Sequence, residues 1–213
     1  MTPRGVLSVA CAMLMASAAL PAAAQTAGDA ITVVLPEQPA NLDPCRSIRN
    51  DIGRIINMNI TETLTDIQAE EGTVAPYLAT SWEQVDDLTW RFKLRDGVKF
   101  QDGADFDAAA VVHTINRLMN PNLSCDSRSK FGDIKLTPKA VDPRTVEIRS
   151  DIPIPILPTL MGTVQIVSPN LPMDKETNSP VGTGPYKLDG ASPERVVLTW
   201  FDGYWGKPAE VKK

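Results

Sequence analysis

In this 213-residue chain, the stretch that looks most like a chemical motif is PVGTGPYKL, Pro180 to Leu188. Two glycines around a threonine can cradle a phosphate if a helix follows, so that backbone N–H groups and the helix dipole face the anion. Here Pro185 removes one N–H and holds Gly184 extended, and Tyr186 to Leu188 is strand-like. The Lys-Ser/Thr ending of a nucleotide loop is absent as well. The glycines are expected instead to permit a tight turn at positive φ that launches a strand at Tyr186. His113, the single histidine, is expected exposed on the polar side of a helix, with no nucleophile or carboxylate motif tied to it. No serine sits in a Gly-x-Ser-x-Gly elbow. The acids of DDLTW and AEEG are neighbours in loops, unlike the separated, differently buried pair that acid–base catalysis requires. DFDAAAV lacks the alternating ligands and closing glutamate of a calcium loop. With one histidine and no Cys-x-x-Cys pair, a zinc site has little to build on. The residues therefore support neither an enzyme nor a cofactor nor a metal.

The first 24 residues read as a secretory signal peptide: a basic start (MTPR), an apolar core (GVLSVACAMLMASAAL), and Ala22 and Ala24 before Gln25. A membrane anchor is the rival reading, and too little apolar sequence precedes Cys11 for a lipid-modified cysteine. Two of the three cysteines, Cys45 and Cys125, lie beyond this segment. Export to an oxidising compartment permits a disulfide between them, with two unpaired thiols as the alternative. The 21 basic and 26 acidic side chains give a net charge of −5, and the basic residues are scattered. That pattern argues against nucleic acid as a partner.

The elements that must position any site follow from periodicity. ITVVLP (Ile31–Pro36) reads as a buried strand, and PEQPANLDP as a proline-stiffened loop. Ile52, Ile55, Ile56, Ile60 and Leu64 recur at helical spacing, with Ser47, Asn50 or Asp51 available as caps. LTWRFKLR alternates as a half-buried strand, and two Asp-Gly turns bracket a short strand after it. Asp107 caps a helix that Asn120-Pro121 stops. A hairpin at Asp142-Pro143, a turn of helix near Pro155, a buried strand TVQIVSP and a last strand RVVLTWF complete an α/β pattern.

Several segments resemble the extracellular solute-binding proteins of family 5, the peptide/nickel type that feed ABC importers. They are NLDP, the run PYLATSWEQVDDLTWRFKLRDGVKFQDGADFDAAAVVHTINRLMNP, and PVGTGPYKL followed by GYWGKP. The resemblance implies a type II periplasmic binding protein fold. Residues 30–49 and 163–213 would form the first lobe, and residues 50–162 an inserted small α/β subdomain. The second lobe would be missing, the chain being an N-terminal fragment that alone binds no solute with useful affinity. The implied partners are a peptide or similar small solute and membrane permease subunits, in the periplasm. On this picture the ligand-binding candidates are Glu37, Gln38 and Pro39 in the proline-stiffened loop, then Arg46 and Arg49. A secreted hydrolase, or a receptor or chaperone on the same fold, is the alternative.

Overall fold

The computed structural model describes residues 30–208 and 210–213, so the signal-peptide reading lies outside the described residues. Its centre is a four-stranded antiparallel sheet of β3 (Ala79–Asp86), β4 (Thr89–Leu94), β5 (Leu136–Asp142) and β6 (Thr145–Ser150), in the order β3-β4-β6-β5. The alternation in LTWRFKLR becomes β4, which buries Phe92 and Leu94 and exposes Lys93. Trp90 donates its indole N–H to the Ile154 carbonyl at 3.1 Å. The helix α2 (Ala108–Met119) begins where Asp107 accepts the Ala110 N–H at 2.9 Å, and Val111, Ile115 and Leu118 enter the core against the sheet. Two small hairpins flank this layer: β1 (Thr65–Gln68) with β2 (Thr73–Pro76), and β7 (Tyr186–Ser192) with β8 (Arg195–Trp200).

The helix expected from Ile52 onward is α1 (Asn50–Ile56), shorter than the apolar spacing suggests. Arg49 occupies its N-cap position without a side-chain bond, so neither Ser47, Asn50 nor Asp51 caps it. Ile52, Ile55, Ile56 and Ile60 gather with Leu42, and the partly buried Leu188 and Leu198 of the β7–β8 hairpin pack on them. Residues 50–60 thus share a core with the end of the chain, apart from the larger core around the four-stranded sheet. The short helix near Pro155 is α3 (Leu157–Met161).

Two expected strands are different. Ile31–Pro36 forms no strand, and Ile31, Val33 and Val34 are 68%, 70% and 87% exposed. β-Branched residues favour strands through packing on neighbours; among the described residues this run has only an Ile31 N–H bond to the Lys213 carbonyl, at 2.9 Å, outside regular elements. TVQIVSP is buried at Val164, Ile166 and Val167, yet it pairs only through an isolated bridge between Glu62 and Ile166.

The glycine-rich turn launches a strand at Tyr186, but not through positive φ. Among the described glycines, Gly72, Gly97, Gly103 and Gly132 have that conformation, and Gly182 and Gly184 do not. They are needed for close approach instead. A Cβ on Gly182 would lie 2.2 Å from the Ile60 carbonyl oxygen, and one on Gly184 2.4 Å from that of Asn59. The Gly184 N–H donates to Ile60 at 2.9 Å and the Tyr186 N–H to Asn59 at 2.9 Å. Gln101 locks the seam, its amide nitrogen 2.9 Å from the Ile60 carbonyl and 2.7 Å from that of Tyr186.

Glu62, next to this seam, is fully buried and has no ion pair among the described residues. Its Oε1 accepts from the Tyr77 hydroxyl at 2.6 Å and the Tyr204 hydroxyl at 2.9 Å. Its Oε2 accepts from the Thr183 hydroxyl and the Trp205 indole N–H, both at 2.8 Å. Burial pushes the carboxyl above its ordinary value, while the bonds from Tyr77, Trp205, Thr183 and Tyr204 pull the other way without cancelling it. Burial and the adjacent carboxylate push Tyr77 upward and raise Tyr204 to about 12.

Gly182→Ala and Gly184→Ala are each expected to lower unfolding free energy in urea by about 2 kcal/mol or more, as overpacking does. Gly190→Ala, with nothing within 4 Å of its Cβ, should stay within about 0.5 kcal/mol. Equal losses at all three positions would reject close approach as the reason. Because the folded Glu62 carboxyl sits above its unfolded value, its protonation favours the native state. That contribution is whole below the ordinary value of 4.5 and is lost as pH rises through the folded pKa. Glu62→Gln, an isostere of the protonated carboxyl, should therefore match the parent most nearly at low pH, and the parent should lose stability relative to it as pH rises through the folded pKa. A parent that gains on the variant as pH rises would show that the four donors outweigh burial.

Candidate functional site

The loop that leads to the site is tied down by Asp43. Its Oδ1 accepts the Cys45 N–H at 2.8 Å, capping a 3-10 turn over Pro44–Arg46, and its Oδ2 accepts the Thr177 N–H at 2.7 Å. The same carboxylate receives both guanidinium nitrogens of Arg117, at 3.1 and 2.7 Å. The side chains are 0% and 2% exposed, so the pair is fully desolvated. Arg117 spends its other donors on the Pro172 carbonyl at 2.8 Å and the Lys175 carbonyl at 3.1 Å. These further hydrogen bonds offset part of the cost of taking the pair out of water.

Beside it the sulfurs of Cys45 and Cys125 are joined, with Cα atoms 4.7 Å apart. The bridge ties the Pro44–Arg46 turn to the 3-10 stretch Asp126–Phe131. Arg46 reinforces the junction with ion pairs to Asp126 at 2.7 Å and Glu176 at 2.9 Å. Behind the disulfide lies a cavity of about 20 Å³, lined by Thr114, Ser127 and Gln165 among others. That is room for one water molecule.

In front of this junction is an open cleft of about 550 Å³. One wall is α1 with the residues that flank it, including Ser47, Arg49, Arg54 and Asn57. The other is Lys130 with Gly162, Thr163 and Gln165. Lys130 donates to the Thr163 carbonyl at 3.3 Å, and burial lowers its pKa. Gln165 is fixed by the Thr61 hydroxyl at 2.6 Å.

Of the residues singled out from sequence, Arg49 lines this cleft, its Nε 3.5 Å from an Asp51 carboxylate oxygen. Arg46 is committed to its two carboxylates. Glu37 and Gln38 are exposed, Pro39 is partly so, and none of the three is among the cleft residues. His113 is half-buried, not exposed; burial and Arg117 lower its pKa, and its Nε2 has no partner among the described residues. Arg54, Lys130 and Gln165 were not singled out. They come from three separate segments, so no local spacing could bring them together. Among the described residues no group of three His, Cys, Asp or Glu side chains could hold a metal ion.

The described residues thus combine an antiparallel sheet backed by a helix with an open cleft lined mainly by polar residues. A family model described as bacterial extracellular solute-binding proteins, family 5 Middle, matches residues 73–213. The nickel-binding periplasmic protein of Escherichia coli is 28% identical over 96% of this chain and 39% of its own length. The glutathione-binding protein GsiB of Salmonella paratyphi A is 38% identical over 56% of this chain and 24% of its own. Among solved structures, the nickel ABC transporter protein of Bacillus halodurans aligns with TM-score 0.67 at 30% identity, over 83% of this chain and 36% of that one. The oligopeptide-binding protein AppA of Bacillus subtilis, solved with a nonapeptide, shares the fold at TM-score 0.72 and 21% identity. The chain belongs to the family 5 extracellular solute-binding proteins. It spans well under half the length of these relatives, and its fold is the corresponding part of a type II periplasmic binding protein.

Replacing both Cys45 and Cys125 by serine should cost up to about 4 kcal/mol, the loop-entropy value for a bridge closing a separation of 80 residues. Arg117→Met, which strands the Asp43 carboxylate, should cost about 3–5 kcal/mol. Chemical denaturation measures both, and a loss below about 1 kcal/mol for either would show that junction to be dispensable.

Proposed function

We propose that the protein carrying this chain is the substrate-binding component of an ABC importer, holding a peptide or similar small solute in the periplasm for membrane permease subunits. The observation that carries this reading is the open polar cleft, built on a fixed scaffold in a chain of the solute-binding family. A preorganised wall lowers the ordering cost of binding. The absence of a reactive cluster among the described residues fits a carrier rather than an enzyme. On this reading Arg49 touches solute, Arg46 braces the wall, and the exposed Glu37 and Gln38 with the partly exposed Pro39 supply a second contact strip. Residues 30–49 and 163–213 belong to the first lobe and 50–162 to the inserted subdomain, with α1 packed at their junction.

Deleting the gene is expected to lower uptake of at least one labelled solute by about tenfold, in a panel of short peptides, glutathione and nickel–histidine. Reintroducing the gene should restore it. Unchanged uptake across the panel would remove the importer reading.

A further inference from the structure

The cleft residues carry an unbalanced charge. Arg49, Arg54 and Lys130 line it, and no carboxylate does, although the whole chain has five more acidic than basic charges. Outside the cleft, Arg46, Arg91 and Arg117 each hold a carboxylate at 2.7 Å, while Arg95 and Arg128 bond backbone carbonyls. Around the cleft the basic groups are left with less. Arg54, in the last turn of α1, has no ion pair among the described residues. The Nζ of Lys130 reaches one carbonyl oxygen at 3.3 Å. Arg49 has one ion pair, to Asp51 at 3.5 Å, longer than those of Arg46, Arg91 and Arg117.

Three like charges around one concavity repel one another more strongly than on an open surface, because protein replaces part of the screening water. An arrangement of that kind is stabilised by an anion entering it. Guanidinium groups accept oxyanions in a planar fork, and an ammonium adds a point charge. We infer that the cleft selects a small solute of net negative charge, whose carboxylate or phosphoryl oxygens meet Arg49, Arg54 and Lys130. This rests on the cleft being the solute site.

Amide NMR of the protein at low, constant ionic strength tests the inference with three probes: succinate, its neutral diamide succinamide, and inorganic phosphate. Succinate or phosphate is expected to shift the amides of Arg49, Gly53, Lys130 and Thr163, with succinamide at least about tenfold weaker. Whichever anion binds more tightly tells carboxylate from phosphoryl recognition. The double variant Arg54→Gln, Lys130→Gln should weaken the anion about tenfold, while Arg54→Lys with Lys130→Arg retains it; a thermal melt checks that both fold. If succinamide moves the same amides as tightly as succinate, charge selection is wrong and the cleft as solute site stands. If no probe moves cleft amides while gene deletion still abolishes uptake, the inference fails and the importer reading survives.

Discussion

Glu62 is a carboxyl group in a place where an unsolvated charge would be intolerable, and the structure answers with four donors in place of a cation. Each oxygen receives two hydrogen bonds, so the acceptor capacity facing the protein is filled. The donors come from Tyr77 ahead of the sheet, Thr183 in the glycine-rich turn, and Tyr204 and Trp205 after β8. A single side chain therefore ties the segment of Tyr77 to two segments more than a hundred residues further along the chain. Arg95 adds its guanidinium 4.4 Å above the Trp205 ring and bonds the Tyr77 carbonyl at 3.1 Å, so the shell is itself held. The close backbone contact of Gly182 and Gly184 on residues 59–61 puts Thr183 within reach. Glycine and glutamate here are two halves of one constraint.

The second buried acid, Asp43, is solved differently. It has a full bidentate partner in Arg117, and it also caps the turn that carries Cys45 and Arg46. Helix α2 thereby becomes the anchor of a loop seventy residues earlier, and the disulfide and the Arg46 ion pairs extend that anchoring to Asp126–Phe131. Both elements lead directly into the cleft, one through Ser47 and Arg49, the other through Lys130.

Local chemistry was legible in the sequence. The alternation of β4, the Asp107 cap of α2 and the hairpin turn at Asp142-Pro143 all depend on residues within a few positions of one another. What depends on distant partners was not. Ile31–Pro36 has a strand composition, but a strand exists only with a neighbour. The GTG turn signalled glycine without saying why, since its reason is the backbone of Asn59 and Ile60. Glu62 sits in an unremarked run, ITETL, and Arg117 looks like an ordinary charged helix position. Its three-residue spacing from Thr114, and its place between Ile115 and Leu118, put it on the buried side. That was the one signal a closer reading of the helix could have used. The cleft is assembled from three segments, so sequence reasoning reached Arg49 and missed Arg54 and Lys130.

The two ways of burying an acid explain where the free positive charge ends up. Glu62 is met by hydroxyl and indole donors, which consumes no cation. Asp43 consumes one, but Arg117 is sealed behind it and contributes nothing to the surface field. Asp126 and Glu176 hold Arg46, turning the most tightly placed arginine of the loop into a brace. The cations facing the cleft are Arg49, which Asp51 meets at 3.5 Å, and Arg54 and Lys130, which have no ion pair among the described residues. Like charges gathered around one concavity repel one another, and that repulsion is relieved when an anion enters. Scaffold rigidity and cleft polarity thus share one origin, the internal pairing of acids away from a single concave face.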